Sequence, residues 1–518
     1  MIPLLALRNI VSRPWRALLL FFGYGVGVGV MVVLLSIGEA LLSQARDERL
    51  VGGGSITVLP QGLDVEVMKT GGVGGLYFSI DHGRFVYDQL LASPRLSNVI
   101  SAVAPQIDGR LTYLRTMSGA EYAVRASGGV PSAAAAVGVP LPLVSGSWKN
   151  DEGDRRWISP TPRELRDEID HFHLPPDNVV NRESWAEWHY FNVISPDSRR
   201  WAFISFIVAG DVGREKWGAS VTITLREQGG RSRKFVSYIP RERVRFSTVD
   251  ANLSLGGSTV TVRPDGNYVV AAEAREDGGG DVVRVSLVVT PSPRAYFPGA
   301  SLGSREFVSG YAVPALRASA DGSICVGGAC ETYAGAQSYH DHNWGVWRGV
   351  TWDWGASRAG GYTLLYGRVL GPDQYGRETP LFVYLIDSLG FRSVMRPRRI
   401  DYTDGRVIEV DGRRVAVPSR AVFADVRGAD TLRVELTIED AIGTDTRKQA
   451  QGESPFANKE TDLQEGATAG IEERGDPARA VDAERPYFIQ MKGTARITGR
   501  IGGEGVSGTG TGFFETYR

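Results

Sequence analysis

Two short strings carry residue types that can move protons: Glu187-Trp-His-Tyr-Phe and Tyr339-His-Asp-His-Asn-Trp-Gly. Adding water across an unactivated alkene needs an acid still protonated near neutral pH, an aromatic wall for the developing cation and a base for the water. A carboxyl stays protonated only where it is desolvated. Asp341 and Asp353, set among Trp344, Trp347, Trp352 and Trp354, have that setting, with His340 or His342 as proton acceptor and Tyr366 as a polar handle. On a strand, His340 and His342 point to one face and their neighbours to the other. Either set suits a buried hydrogen-bond network, a ligand lining or an acid–base pair, and residue types alone leave the three open. Glu187 and His189, two apart and so on one face, read first as a core pair. A metal centre from Glu187, His340 and His342 is open by residue type, but no further spacing supports it, so none is expected. The expected catalytic set is Asp341, His342, Asp353 and Tyr366. The expected ligand lining adds Glu187, Trp188, His189, Tyr190, His340, Asn343, Trp344, Trp347, Trp352 and Trp354.

Other catalytic strings are missing from the sequence. It has no G-x-S-x-G elbow, no H-E-x-x-H and no G-x-x-x-x-G-K-[ST] phosphate loop. Gly503-x-Gly505-x-x-Gly508 lies between two strand-like runs near the C-terminus and reads as a glycine-rich turn, and Arg396-Pro-Arg-Arg as a solvated one. Lys and Arg number 58 against 59 Asp and Glu, which lacks the basic excess of a nucleic-acid binder. Two cysteines exclude a cysteine-built zinc ribbon, an iron–sulfur site and a disulfide-rich scaffold. No cofactor is expected.

The elements that must position these strings are strands. From Trp185 the chain alternates with period two, as in Trp201-Ala-Phe-Ile-Ser-Phe-Ile-Val and Val282-Val-Arg-Val-Ser-Leu-Val-Val, with Gly, Asp and Asn at the turns. The texture restarts after His340, in Leu381-Phe-Val-Tyr-Leu-Ile and Leu432-Arg-Val-Glu-Leu-Thr-Ile. The fold class expected is mainly β: two tandem barrels, each closing on itself and able to hold an apolar ligand, after one transmembrane helix and a small α+β segment. Thr444 to Pro486, charged and aperiodic, reads as a long loop, and 146–181 as a linker with a short helical stretch near Arg163 to Phe172. At the N-terminus, Ala17 to Gly38 has no charged residue and is long enough to cross a bilayer. Arg8, Arg13 and Arg16 precede it and Glu39, Asp47 and Glu48 follow, which predicts an N-in, single-pass anchor in the cytoplasmic membrane with the bulk of the chain outside. A cleaved signal peptide is the alternative.

The segment from Met1 to Gln44, with Ser55-Ile-Thr-Val-Leu-Pro and Val103-Ala-Pro-Gln, resembles the start of MacB-like ABC transporter permeases. No second long apolar run follows, so a complete permease is not expected. The paired EWHYF and YHDHNWG strings, with the closing Thr511-Gly-Phe-Phe-Glu-Thr-Tyr-Arg, resemble the AttH-like and carotenoid 1,2-hydratase family over about Arg182 to Arg518. This resemblance implies two lipocalin-like domains with an apolar pocket, in a family whose members hydrate isoprenoid double bonds or steer polyene cyclisation. It also implies a proton donor in a Tyr-x-Asp context downstream, where this chain reads Tyr366-Gly-Arg368; Arg368 then joins the ligand lining as a cation. The expected organisation is 1–43 anchor, 44–145 permease-like domain, 146–181 linker, 182–332 first lipocalin-like domain and 333–518 second. The expected function is binding of a hydrophobic, lipid- or isoprenoid-like small molecule; the alternative is a hydratase, cyclase or isomerase acting on one. Expected partners are that molecule, the membrane and ABC transporter subunits, with no nucleic acid.

Cys325 and Cys330 flank Gly327-Gly328, a natural two-residue hairpin turn because glycine accepts positive φ. Counting outward, Val326 faces Ala329 and Cys325 faces Cys330, at the closely spaced, non-hydrogen-bonded position that a disulfide can bridge. Two free thiols or a redox pair are the alternatives.

Overall fold

A computed structural model describes residues 12–46, 56, 80–91, 93–96, 98–138, 161–177, 179, 182–214, 217–227, 229–230, 232–303, 308–347, 349–371, 381–446 and 485–518. Much of the expected permease-like domain, the 146–160 part of the expected linker and 447–484 of the expected loop lie outside them. The chain divides into two compact units, Met1–Leu91 with Leu96–Ser159, and Ala92–Arg95 with Pro160–Arg518.

In the first unit, helix α1 (Pro14–Arg46) contains Pro14–Ile37, long and apolar enough to cross a membrane at mean hydropathy 2.5. By length and composition it is compatible with a single-pass anchor or a signal sequence. Helix α2 (Ile80–Leu91), the antiparallel hairpin β1 (Gln106–Arg115) and β2 (Glu121–Gly129), and helix α3 (Pro131–Ala136) follow.

The second unit starts with helix α4 (Pro162–Asp167), fixed by a capping box in which Thr161 Oγ1 accepts from Glu164 N and Glu164 Oε2 from Thr161 N. The strands then run β3 (Trp185–Ile194), β4 (Arg200–Gly210), β5 (Trp217–Glu227), β6 (Arg233–Pro240), β7 (Val244–Phe246), β8 (Leu253–Leu255), β9 (Ser258–Val262), β10 (Tyr268–Glu276), β11 (Val282–Pro291), β12 (Phe297–Gly303), β13 (Val308–Val326) and β14 (Ala329–Val346). Hydrogen-bonded pairing closes a ring through β14, β3, β4, β5, β6, β10, β11 and β13 back to β14, with β7 to β9 and β12 appended. A second antiparallel sheet comprises β15 (Thr351–Ala359), β16 (Tyr362–Leu370), β17 (Phe382–Asp387), β18 (Gly390–Met395), β19 (Asp401–Val410), β20 (Arg413–Arg427), β21 (Asp430–Asp445), β22 (Tyr487–Ile501) and β23 (Glu504–Tyr517). Its order is β18-β17-β16-β15-β23-β22-β21-β20-β19. The chain is therefore mainly β, in two barrel-like sheets.

Two expectations change. The switch between sheets falls between Val346 and Thr351, not at 332/333: β14 pairs with β13 on one side and with β3 on the other, so the HDHNWG string closes the first barrel rather than opening the second. Such a pairing is non-local, and hydropathy along the chain does not report it. The described part of the expected linker is also built into the first barrel. Leu165, Ile169 and Phe172 are buried, at spacings of a helical stripe, and Phe172 stacks on Phe246 at 3.9 Å while its N–H donates to Ser247 O.

The interior of the second sheet is filled. Tyr366, Leu385, Phe423, Leu436, Ile489 and Phe514 belong to one continuous core cluster drawn from β16 round to β23. An apolar ligand held inside that barrel, as the sequence suggested, would have to displace close-packed side chains. In the β13–β14 hairpin, Cys325 and Cys330 face each other in register and form a disulfide.

Candidate active site

Strands β3 and β14 lie side by side, His189 opposite His342 and Tyr190 opposite Asp341. Their alternation sorts the two sequence strings onto two faces. Glu187, His189, Phe191, His340, His342 and Trp344 gather on the inner face; Trp188, Tyr190, Asn192, Tyr339, Asp341 and Asn343 occupy the other, toward the second sheet.

The inner face is an ionic network centred on a residue outside the expected set, Asp170. Its carboxylate accepts from Tyr268 Oη at 2.5 Å and lies 3.2 Å from His340 Nε2 and 3.0 Å from His342 Nδ1. His342 Nε2 reaches Glu187 Oε1 at 2.8 Å, and Glu187 also accepts from the His173 N–H. The His173 ring stacks on Trp344 at 3.8 Å. Trp344 in turn lies flat against Gly310 on β13, where a Cβ would come within 2.3 Å of the indole. Asp170, Glu187, His189, His340 and His342 are all at most 2% exposed.

Burial alone would lower the His342 pKa, but hydrogen bonds to Asp170 and Glu187 and their charges push it up to about 9, so an imidazolium bridges two carboxylates. Burial likewise opposes ionisation of Asp170, yet the neighbouring imidazoles hold its pKa well below the usual carboxylate range. His189 is driven well below its ordinary value by burial and by the charge of His342, which leaves it neutral. Two groups here have a metal-compatible mixture of residues, Asp170 with His189 and His340, and His173 with Glu187 and His342. Both ring nitrogens of His340 and of His342, and Nδ1 of His173, are engaged within the protein, in a hydrogen-bonded network with Asp170, Glu187 and the Tyr190 carbonyl.

The other face is built from neutral donors around carboxyls. Asp341, 5% exposed, accepts from Tyr339 Oη at 2.8 Å and from Asn343 Nδ2 at 2.7 Å. Trp354 Nε1 donates to the same Tyr339 oxygen at 2.9 Å. Glu515, on β23, accepts from Trp352 Nε1 at 2.9 Å and Gln490 Nε2 at 3.2 Å. The Tyr190 hydroxyl is buried beside Glu515 and Asn192 and meets the geometry of a hydrogen bond with neither. Aromatic rings wall the region: Tyr339 packs on Phe513 at 4.7 Å, and Trp188, Trp347 and Trp352 form a chain at 4.8 and 5.7 Å that ends on Phe488 and Tyr517. Trp354 lies over Gly367, its partner in the β15–β16 ladder, where a Cβ would sit 2.4 Å from the ring.

Among the described residues no lysine or arginine pairs with Asp341, and the charge of His340 only partly offsets its burial. Burial, and then the charge of Glu515, raise its pKa to about 7 against the opposing hydrogen bond from Tyr339. Glu515 is itself raised by burial despite its hydrogen bonds. A buried carboxyl that keeps its proton near neutrality, a second carboxyl beside it and a wall of π-faces can protonate an electron-rich double bond and carry the resulting cation.

The remaining expected residues lie elsewhere. Asp353 points into the second sheet, where it is bound by Arg368 Nε at 3.1 Å, Tyr402 Oη at 2.9 Å and Thr516 Oγ1 at 2.7 Å. It is thus engaged by a guanidinium and two hydroxyls, away from the Asp341 face. Arg368 forms an ion pair with it. Tyr366 is buried in the second core against Phe423 and Phe514, with its hydroxyl unbonded. His342 and Asp341, the expected acceptor and donor, point to opposite faces of β14. The sequence reading missed Asp170 and His173 in the stretch taken as a linker, and Tyr339, Glu515 and Gln490 on the second face. The signal for the first was the histidine count: five of six, His171, His173, His189, His340 and His342, fall in three short strings. For the second it was that Tyr339-His-Asp341 is itself a Tyr-x-Asp string.

A groove of 520 Å³ runs between the two sheets, lined by Thr224, Arg226 and Lys234 on one side and Ile408, Ile442 and Gln490 on the other. Gln490 thus joins the groove wall to Glu515 through one hydrogen bond.

No family model matches the chain, and no curated protein does. Among solved structures, it is similar to a protein described as an AttH from Nitrosomonas europaea, at 14% identity and a TM-score of 0.41 over 67% of this chain and 98% of that one. It is similar also to CghA with Sch210972, at 13% identity and 0.38 over 69% and 96%. A third is kievitone hydratase from Nectria haematococca, at 12% identity and 0.34 over 67% and 97%. Likeness at this level says nothing about activity.

Proposed function

We propose that this protein is an acid–base catalyst acting on a hydrophobic small molecule with a carbon–carbon double bond, in a hydration, cyclisation or isomerisation, with Asp341 as the proton donor. The observation that carries the reading is the Asp341–Glu515 arrangement: two buried carboxyls with no lysine or arginine partner among the described residues, one of them with its pKa raised to about 7. Glu515 is positioned as the proton acceptor, Tyr190 supplies an unused hydroxyl, and the Trp352, Trp354 and Tyr339 rings supply the wall. The groove, polar at Thr224, Arg226 and Gln490 and apolar at Ile408 and Ile442, suits an amphiphile rather than a pure hydrocarbon. The second reading is a binder of the same class of molecule without turnover, favoured by that groove alone.

In the same proposal α1 is an N-in anchor with the barrels outside the cytoplasm, supported by Arg13 and Arg16 ahead of the apolar run. Its permease-like sequence would place the protein beside an ABC exporter.

The test is incubation of the full chain with a panel of isoprenoid alkenes in D2O, read by mass. Deuterium enters a product in the wild type, and Asp341→Asn lowers the rate by about 10²–10⁴-fold, the span of a general acid. Uptake that is equal in the variant removes Asp341 from the chemistry. Retention of an intact alkene with no deuterium uptake in either protein leaves the binder.

A further inference from the structure

Away from the acid pair, two guanidinium groups meet across the seam between the sheets. Arg317 lies in a bulge of β13, where Leu316 and Arg317 stand between the Ala315–His340 and Ala318–Ser338 pairs. A bulge bends the strand and re-aims a side chain. This one is held by Leu316 N donating to Ala295 O and Ser292 N donating to Arg317 O, each at 2.8 Å. Arg317 Nη1 then donates to Thr363 Oγ1, on the second sheet, at 3.3 Å. Arg358 faces the same Thr363 in the β15–β16 ladder and donates in the other direction, to Ala318 O on the first sheet.

Among the described residues neither arginine has a carboxylate partner, whereas Arg226 pairs with Asp440 and Arg368 with Asp353. Both are half-buried. Each has five N–H donors and spends few of them on protein acceptors. Burial and the charge of Arg317 lower the Arg358 pKa to about 10, still far above neutrality. Like charges held together in a half-buried setting destabilise the fold unless an anion joins them.

We infer that Arg317, Arg358 and the Thr363 hydroxyl form an oxyanion-binding site on this seam, fitted to a phosphate or carboxylate group. The planar fork of each guanidinium matches two oxygens of such a group, and Thr363, bonded to Arg317, adds a hydroxyl. This inference is independent of the acid–base reading, since it shares no residue with it.

The experiment is calorimetric titration of the full chain in detergent with inorganic phosphate and, separately, with hexanoate, at ionic strength held constant with chloride. One saturable site per chain is expected for at least one of them, weakened about tenfold or more in Arg358→Gln and in Arg317→Gln, the loss of a charge-assisted hydrogen-bond pair. Tighter phosphate binding identifies a phosphoryl ligand, and tighter hexanoate binding a carboxylate with an apolar tail. If a glutamine variant does not fold, Arg358→Lys and Arg317→Lys keep the charge and lose the fork, and weakening of at least threefold is expected. No saturable binding of either anion, or equal binding in all variants, overturns the site.

Discussion

The two faces of β3 and β14 share a backbone, a depth of burial and even alternate residues of one heptapeptide, yet they handle charge in opposite ways. On the inner face, Asp170 and Glu187 share the His342 imidazolium, and the network is ionised and nearly closed on itself. On the outer face Asp341 and Glu515 have each other and neutral donors as hydrogen-bond surroundings, and burial outweighs the charge of His340, so the Asp341 pKa rises to about 7. The difference shows that burial does not decide the state of a carboxyl; the sign of its neighbours does. It also separates structure from chemistry: a carboxylate locked to a buried cation has no proton to give, whereas an uncompensated carboxyl has.

The comparison is most easily broken at its two centres. Beyond the turnover loss expected for Asp341→Asn, the largest effect on stability is expected at His342. Replacing it by Ala removes the group that bridges the buried Asp170 and Glu187, and urea denaturation should show a loss of about 3–5 kcal/mol or an unfolded first barrel. An unchanged midpoint would mean that the inner network is not structural.

The pH dependence separates the faces next. His342 has a folded pKa of about 9, above its ordinary 6.5, so its contribution is fully present below pH 6.5 and is lost as pH rises through 9. Asp341 has a folded pKa of about 7, above its ordinary 3.8, so the native state holds a proton that the unfolded chain gives up, and stability falls between those values as pH rises. Asp341→Asn removes that lower limb and keeps the upper one. At pH 8 the variant is expected to be more stable than the wild type, by on the order of 1–3 kcal/mol.

A smaller contrast comes from two buried tyrosines. Tyr268 donates to Asp170, and Tyr268→Phe should cost about 1–3 kcal/mol. Tyr190 leaves its hydroxyl without a bond, so Tyr190→Phe should be neutral or slightly stabilising while slowing turnover. Equal costs for the two would erase the distinction between the faces.

How much of this the sequence reveals depends on how local each feature is. The alternation of Val282 to Val289 reads directly as a strand with one buried face, and the folded strand has that pattern. The register of Cys325 with Cys330 depends only on Gly327-Gly328 between them. Period two also separates His340 and His342 from Asp341, so the facing of the motif is written in the chain. Which face is ionised is not, because the deciding partners arrive from far away. Asp170 comes from a charged stretch that resembles solvated linker, and Glu515 and Trp352 come from the other sheet. The sheet boundary was hidden for the same reason: β14 pairs with β3, its partner from the start of the barrel.

The protonation of Asp341 is the claim on which the rest depends, and infrared spectroscopy reads it directly. The full chain labelled with ¹³C-aspartate and its Asp341→Asn variant would be compared from pH 5 to pH 9. The account predicts a protonated-carboxyl band that is absent in the variant and disappears in the wild type with a midpoint near pH 7. A wild-type spectrum showing only carboxylate at pH 5 and above would contradict it.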